Sequence, residues 1–230
     1  MEFGPNDTQR LFDRILRDFL ADRLPMDVLH RLAAPGAGFD DKLWAGLTEL
    51  GVPGVLVPER FGGAGLGTFE AGLAAEALGS HAAPLPFAGA AVIAPLAILR
   101  GGSDAVRATW LPRIADGSAR LAVAFERFTG VTGTGAVARR GDRLSGRLTS
   151  VIDLGGATHL LAVLADGTLA IVAVDAPGAR VSLGPSLDRT RPRGEVALTD
   201  TPAEVLPGEV DSRERALANV AAGRAMLAAD

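Results

Sequence analysis

The spacing of apolar residues changes near Ala119, and this change limits the folds that the chain can adopt. Before it, apolar residues recur at helical intervals and share one face of a helix, as do Leu11, Phe12, Ile15, Leu16, Phe19 and Leu20. After it come short apolar runs typical of strands: RLAVAFE, HLLAVLA, TLAIVAV, ARVSLG and GEVALTD. The sequence therefore predicts a helical part followed by a β-rich part.

Start and stop signals divide the helical part into several helices. Asp7 and Thr8 are candidate caps of the first, and the segment DDKLWAGLTELG predicts another that ends at Gly51. Thr68 and Ser103 are candidate caps of two further helices, which run to Leu78 and to about Trp110, with Pro112 just beyond. The most apolar window, 82–99, contains three prolines, which favours a buried helix over a membrane span.

The β-rich part, from residue 119 to about residue 210, is typical of a small antiparallel barrel or sandwich. Asp166 and Gly167 separate two apolar runs, and this dipeptide favours a two-residue hairpin turn. From Ser212 the pattern is helical again, with Leu217, Val220, Ala221 and Leu227 on one face. We therefore expect a multi-domain α and β protein divided at 1–118, 119–210 and 211–230.

Composition excludes several classes of protein. The net charge of −4 and the mixing of acidic with basic residues leave no basic stripe for nucleic acid. The first residues lack the pattern of a signal peptide, and cysteine is absent, which suits a reducing cytoplasm. His30, His81 and His159 are too scattered for a metal site, so we expect no metal. Because no membrane span is predicted, we also expect no membrane partner.

The glycine-rich stretch GVPGVLVPERFGGAGLG, at 51–67, allows two interpretations. An apolar lead-in, glycines and a following helix occur in dinucleotide-binding loops. Here, however, Thr68 stands where the third glycine of that motif belongs, and Pro53 interrupts the strand. The alternative is a structural corner in which glycines adopt left-handed conformations and allow close packing.

Several segments in order resemble the acyl-CoA dehydrogenase family. The stretch LGVPGVLVPERFGGAGLGTFEAGLAAEALG resembles the family pattern G-x-x-G-[IL]-x-V-P-E-x-[YF]-G-G-x-G and its following helix. WLPRIADGSARLAVAFE, RLSGRLTSVIDLGGATHLLAVLADG and SLDRTRPRGEVALTDTPAEVLPG resemble three later segments, from strand entry to the last domain. The resemblance implies a helical domain, a β-domain and a helical bundle, with the glycine-rich stretch as a corner between helices.

The resemblance also implies a chemistry. Family members bind FAD, remove two hydrogens across Cα–Cβ of an acyl-CoA thioester, and commonly pass electrons to electron-transfer flavoprotein. A glutamate, usually from the bundle, takes the α-proton. This sequence ends near the first helix of the expected bundle, so we assign no catalytic residue and expect the chain alone to be nearly inert.

The cofactor residues that the resemblance implies fall in two segments. In the first, the family motif Ala-Leu-Thr-Glu-Pro-x-Ala-Gly-Ser-Asp keeps its glutamate and one glycine but loses two hydroxyls. The implied contacts there are Ala124, Phe125, Glu126, Gly130 and Val131. In the second, the motif Trp/Phe-Ile-Thr-Asn has become Ser150, Val151, Ile152 and Asp153.

Two functions of different kind follow from these residues. The first is an FAD-dependent acyl-CoA dehydrogenase whose bundle is missing or supplied by another polypeptide. The second is a non-catalytic subunit of a heteromeric acyl-CoA dehydrogenase, which the altered flavin motifs favour. APLPF and LDRTR resemble divergent bacterial members, some of which pair as heteromers for steroid or other bulky acyl-CoA substrates. A homo- or hetero-oligomer is expected in either case.

Overall fold

The computed structural model describes residues 4–34, 39–124, 137–164, 168–184, 186–191 and 193–206. Within these ranges, six α-helices precede the first strand: α1 Asp7–Arg23, α2 Met26–Leu32, α3 Asp41–Glu49, α4 Thr68–Ser80, α5 Ala94–Gly101 and α6 Asp104–Ala115. A short 3-10 turn, Glu59–Phe61, follows α3, and a π-helix, Ala88–Ile93, leads into α5. The predicted helical part is confirmed.

Helix starts follow local hydrogen bonding. Helix α1 is capped by Asn6, one residue before the expected Asp7, because the Asn6 side chain accepts from the Gln9 N–H while Gln9 reaches back to the Asn6 N–H. Thr68, the expected cap of α4, is instead its first residue, and the cap is Gly67, whose N–H donates to the Glu70 carboxylate. A reciprocal pair of side-chain bonds therefore caps α1, whereas a single bond to the Glu70 side chain caps α4.

Helix α6 is longer than the sequence predicts. It continues through Pro112 to Ala115, whereas the proline was expected to lie beyond its end near Trp110. An interior proline costs about 3 kcal/mol because it removes a backbone hydrogen bond and crowds the preceding turn. Burial of Leu111 and Ile114 on either side offsets this cost at about 1.5–3 kcal/mol for each side chain.

The glycine-rich stretch is a structural corner. Gly51, Gly62 and Gly65 have φ angles of 75°, 82° and 63°, which glycine adopts without strain. At Gly63 a Cβ atom would collide with the carbonyl oxygen of Val57. Backbone bonds, such as Leu66 N–H to Val55 O at 2.9 Å, fold the stretch back on itself. The glycines thus serve the backbone, as the resemblance implied.

In the part of the chain that the structure describes, eight strands form one sheet: β1 Leu121–Ala124, β2 Val137–Arg140, β3 Arg143–Ile152, β4 His159–Val163, β5 Leu169–Ala173, β6 Ala179–Leu183, β7 Gly194–Pro202 and β8 Glu204–Leu206. The order is β6-β7-β3-β1-β4-β5-β8, and β2 pairs with β3. The pairing is antiparallel except between β1 and β4, which are parallel.

This topology confirms the helical and β-rich fold class, but the sheet is open and not a closed barrel. Among the described residues, β2, β6 and β8 each pair with one strand only, so the sheet has unpaired edges. Runs of apolar residues predict strands but do not indicate which strands are neighbours. The sequence therefore could not show whether the sheet closes into a barrel.

Strands β4 and β5 form the expected hairpin. Their register pairs Val163 with Leu169, and the Leu164 N–H donates to the Thr168 carbonyl at 2.8 Å. This register leaves three residues, 165–167, between Leu164 and Thr168, whereas the expected two-residue turn would leave two. Asp166 and Gly167 themselves lie outside the described residues.

Strand β1 is the centre of the packing. Leu121 and Val123 face a core shared with Ile98, Leu111 and other helical residues, while Ala122 and Ala124 face a second core on the other side of the sheet. The helical layer and the sheet therefore share one hydrophobic interface at β1. The proposed domain limits at 118 and 210 stay predictions, and the predicted helix at 211–230 lies outside the described residues.

Candidate functional site: the paired ends of strands β1 and β3

The two segments predicted to contact a flavin meet at the ends of β1 and β3. Val123 pairs with Ile152, and Ala124 pairs with Val151, in antiparallel register. The two segments are far apart in sequence, and the pairing of β1 with β3 brings them side by side. The remaining predicted contacts, Phe125, Glu126, Gly130 and Val131, lie outside the described residues.

Most of the described site residues are apolar and buried. Ala124 and Val151 belong to the core on one side of the sheet, and Ile152 belongs to the core between sheet and helices. Their side chains are therefore committed to packing, and only their backbone can serve a ligand. Ser150 and Asp153, which flank this pair, are partly exposed and polar.

The backbone at the end of β3 is irregular. Leu148 pairs with Val196 and Val151 pairs with Gly194, so two residues of β3 stand opposite one of β7, which is a β-bulge. Ser150 in this bulge has a φ angle of 50°, and Asp153 has a φ angle of 58°. Such conformations cost about 1–3 kcal/mol in residues other than glycine and are frequent at functional sites.

The Asp153 side chain connects the sheet to the helical layer. Its Oδ2 atom accepts a hydrogen bond of 2.6 Å from the backbone N–H of Gly89, in the π-helix. The carboxylate is enclosed by protein, although part of the residue reaches the surface. The Asp153 side chain therefore binds the backbone of the π-helix in this structure.

Gly89 leaves no room for a side chain. A Cβ atom there would lie 2.6 Å from the Leu121 carbonyl oxygen and 3.1 Å from Asp153 Oδ2. The π-helix consequently approaches β1 backbone to backbone. π-helical turns are rare and are often found at functional sites.

The charge on Asp153 is disfavoured where it lies. Burial raises the pKa of this carboxyl above the ordinary value of 3.8, while the Gly89 N–H and the positive charge of Arg191 act to lower it. Neither the π-helix nor β1 contains an ionisable residue. The net effect is a carboxyl group that holds its proton to a higher pH than an exposed aspartate.

A second polar junction lies between α6 and the sheet. The Trp110 indole N–H donates to Glu204 at 2.9 Å, and the ring meets His159 edge to face with 4.8 Å between centroids. The Arg113 guanidinium stacks over the same indole ring. Burial, and then the positive charge of Arg113, lower the pKa of His159, while Asp175 acts to raise it.

Sequence reasoning missed the partners at both junctions. Gly89 and Asp153 are 64 residues apart, and Trp110 and Glu204 are 94 residues apart. Gly89 stood within an apolar window and had no local signal beyond being a glycine between alanines. The described residues contain no group of His, Asp or Glu side chains that could hold a metal ion. In the same ranges, no helix is long and apolar enough to span a bilayer.

A helical layer packed on a mixed sheet through a central strand is the arrangement of the acyl-CoA dehydrogenase fold, as comparisons with known proteins show. Residues 6–118 match the family described as acyl-CoA dehydrogenase, N-terminal domain. Acyl-CoA dehydrogenase FadE12 of Mycobacterium tuberculosis is 37% identical over 87 residues, which are 36% of this chain and 22% of FadE12.

Two solved structures extend the likeness beyond the helical part. The Tcur3481-Tcur3483 steroid ACAD G363A variant is 32% identical with a TM-score of 0.81, over 97% of this chain and 62% of that one. An acyl-CoA dehydrogenase of Bacillus anthracis complexed with FAD has a TM-score of 0.82 at 20% identity, over 98% of this chain and 42% of that one. The second likeness concerns the fold alone.

The resemblance found in the sequence is therefore confirmed: residues 6–118 match the N-terminal domain family of the acyl-CoA dehydrogenases. The family is one of oxidoreductases. The chain spans less than two thirds of the length of the relatives that it matches.

Proposed function

We propose that this chain takes part in FAD-dependent α,β-dehydrogenation of an acyl-CoA thioester. In that reaction a base removes a proton from the α-carbon, and bound FAD supplies the acceptor for the hydride from the β-carbon. Electron-transfer flavoprotein is the proposed acceptor of the electrons. The observation that best supports this proposal is the junction of β1 and β3, where both predicted flavin segments end side by side.

The groups at this junction suit a flavin ring. Ala124 and Ile152 are the last residues of their strands, and the side chains of Ala124, Val151 and Ile152 stay in the two cores. The Ser150 hydroxyl, in the bulge, is a polar group with access to solvent. Phe125, Glu126, Gly130 and Val131 remain proposed contacts that follow from the motif. We assign no catalytic base within the described residues.

The substrate that we propose is a bulky acyl-CoA, such as a thioester of a steroid side chain. This proposal rests on the solved relative that is described as a steroid ACAD and is 32% identical to this chain over the aligned residues. It is supported by the APLPF and LDRTR segments, which resemble divergent bacterial members. Short straight-chain acyl-CoA thioesters are the competing substrates.

A flavin titration followed by an activity assay tests the proposal. FAD is added to the full chain, alone and mixed with a bundle-bearing homologue, and the visible flavin spectrum and protein fluorescence are recorded. Steroid and short-chain acyl-CoA thioesters are then added anaerobically. We expect bleaching of bound flavin by the steroid thioester at a lower concentration than by the short chain. Absence of flavin binding under both conditions would contradict the proposal.

The alternative that we propose is a non-catalytic subunit of a heteromeric acyl-CoA dehydrogenase. The apolar, buried Ile152 stands where the family motif has a threonine hydroxyl, and each lost hydrogen bond costs about 1 kcal/mol. The steroid ACAD relative is named for two proteins, which supports a paired assembly. In this alternative the chain stabilises a catalytic homologue.

Substitutions at the flavin segment separate the two functions. In the mixed assembly, Ser150→Trp would block a flavin at the β1–β3 junction of this chain without reaching a flavin bound by the partner. Loss of half the bound flavin or of activity would favour the enzyme. Unchanged flavin content and activity, with the assembly intact by size-exclusion chromatography, would favour the non-catalytic subunit.

A further inference from the structure

Asp153 and Gly89 form a contact that the flavin motif alone does not explain. The motif placed Asp153 among cofactor contacts, yet its carboxylate points to the π-helix and accepts from Gly89 N–H at 2.6 Å. A carboxylate engaged in a short bond to a backbone amide has one oxygen committed to that bond. Its ability to contact a ligand directly is correspondingly reduced.

The backbone around Asp153 is held in a conformation that needs support. Ser150 and Asp153 both have left-handed φ angles, and the two residues between them are buried in opposite cores. A strained segment persists only when its surroundings fix it. The Gly89 bond fixes one end of this segment to an element outside the sheet.

The π-helix in turn is fitted closely to β1. The missing side chain of Gly89 allows its backbone to approach the Leu121 carbonyl, and the Val123 side chain lies 3.4 Å from the position a Cβ atom would take. The contact therefore connects three backbones: the π-helix, the strand β1 and the end of β3. These are the strands whose ends we propose as the flavin site.

We propose that Asp153 is a positioning residue, which sets the flavin-binding conformation of residues 150–153 by anchoring them to Gly89 and does not itself contact the flavin. This inference rests on the proposed function of the β1–β3 junction. A direct contact would make Asp153 a ligand of the flavin ring, and the two roles predict different behaviour of the same variants.

The test compares Asp153→Asn with Asp153→Ala in the full chain, in the assembly that binds FAD. Asparagine keeps an oxygen acceptor for the Gly89 N–H, whereas alanine removes it. For a positioning residue, FAD affinity is kept in the asparagine variant and falls by about tenfold in the alanine variant. The flavin absorption spectrum and midpoint potential stay as in the wild type for the asparagine variant.

A direct contact gives the opposite result. Replacing a carboxyl that touches the flavin with an amide would shift the flavin midpoint potential and spectrum in Asp153→Asn, and this outcome would overturn the proposal. Gly89→Ala supplies a second route to the same site, because the added Cβ meets the Leu121 carbonyl at 2.6 Å. It should lower FAD affinity, and combining it with Asp153→Ala should add little. Additive effects would contradict the anchor.

Hydrogen exchange at the Gly89 amide tests the contact between Gly89 and Asp153 without relying on flavin binding. In the chain without flavin, we expect slow exchange of this amide in the wild type and in Asp153→Asn, and fast exchange in Asp153→Ala. If this pattern holds and no flavin binds, the anchor exists and the proposed function fails. If the amide exchanges equally fast in all three proteins, the anchor itself is wrong.

Discussion

The two junctions between the helical layer and the sheet are built in different ways. At Gly89 and Asp153, two backbones approach closely and a single enclosed carboxylate connects them. At Trp110, a large aromatic ring contacts His159, Arg113 and Glu204 together. The first junction depends on the absence of a side chain, and the second depends on the presence of several.

This difference indicates how each junction responds to change. Backbone contacts without side chains cannot adjust, so a small substitution at Gly89 forces an element to move. Contacts shared among several side chains can be lost one at a time. We therefore expect single substitutions at the Gly89 junction to be strongly destabilising. At the Trp110 junction we expect each substitution to remove only part of the stability.

The largest expected effect is that of Gly89→Val. A branched side chain would collide with the Leu121 carbonyl and with Asp153, so we expect the free energy of unfolding to fall by about 3 kcal/mol or more. Thermal or urea unfolding measures the change. Gly72→Ala is the matched control, because a Cβ atom there meets no atom within 4 Å and alanine favours a helix. Equal stability of the two variants would refute the close approach.

A smaller loss is expected from Trp110→Phe. The phenyl ring keeps most of the packing of the indole but lacks the N–H that donates to Glu204. We therefore expect the free energy of unfolding to fall by about 1 kcal/mol. Glu204→Gln keeps an acceptor for the indole N–H and serves as the control. A loss above about 3 kcal/mol in urea unfolding of Trp110→Phe would show that the junction does not weaken gradually.

Asp153→Asn should change stability in the opposite direction. Because the pKa of Asp153 is raised in the folded chain, its contribution is full below the ordinary value of 3.8 and is lost as the pH rises through the folded-state pKa. At neutral pH the cost of ionising this enclosed carboxyl lowers the stability of the wild type, and asparagine removes that cost. We expect a higher melting temperature for Asp153→Asn near neutral pH, with the gain disappearing in acid. A lower melting temperature at neutral pH would contradict this assignment.

The smallest effect should be a pH dependence at His159. Its pKa is lowered in the folded chain, so stability is present above the ordinary value of 6.5 and is lost as the pH falls through the folded-state pKa. His159→Phe keeps a ring against Trp110 and removes the titration. Chemical unfolding between pH 5 and 8, on wild type and variant, should show a steeper decrease in acid for the wild type. Parallel curves would argue against a partly buried, neutral histidine.

The order of elements could be read from the sequence, because apolar periodicity and caps are local signals. Leu16, Trp44 and Leu121 are buried as their patterns predict. Leu11 and Ile15, which the pattern placed on the same face as Leu16, are instead exposed. The end of α6 could not be read, since burial of Leu111 and Ile114 outweighs the local effect of Pro112. Tertiary packing decided that boundary.

The site was only half predictable for a similar reason. The motif resemblance led to Ala124 and to residues 150–153, which the sheet brings together as adjacent strand ends. The parallel pairing of β1 with β4, the bulge before Val151 and the partner of Asp153 arise from contacts between residues far apart in the chain. A single sequence gives no local sign of such contacts.

The central claim is that the paired ends of β1 and β3 form the flavin site. Hydrogen exchange of the flavin-bound protein tests this claim most directly. Exchange rates are compared with and without FAD for peptides that cover 121–124 and 148–154, with β6 at Ala179–Leu183 as an internal control. We predict that FAD slows exchange in the first two peptides and leaves β6 unchanged. Bound FAD that leaves both strand ends unprotected, or protects β6 equally, would contradict the account.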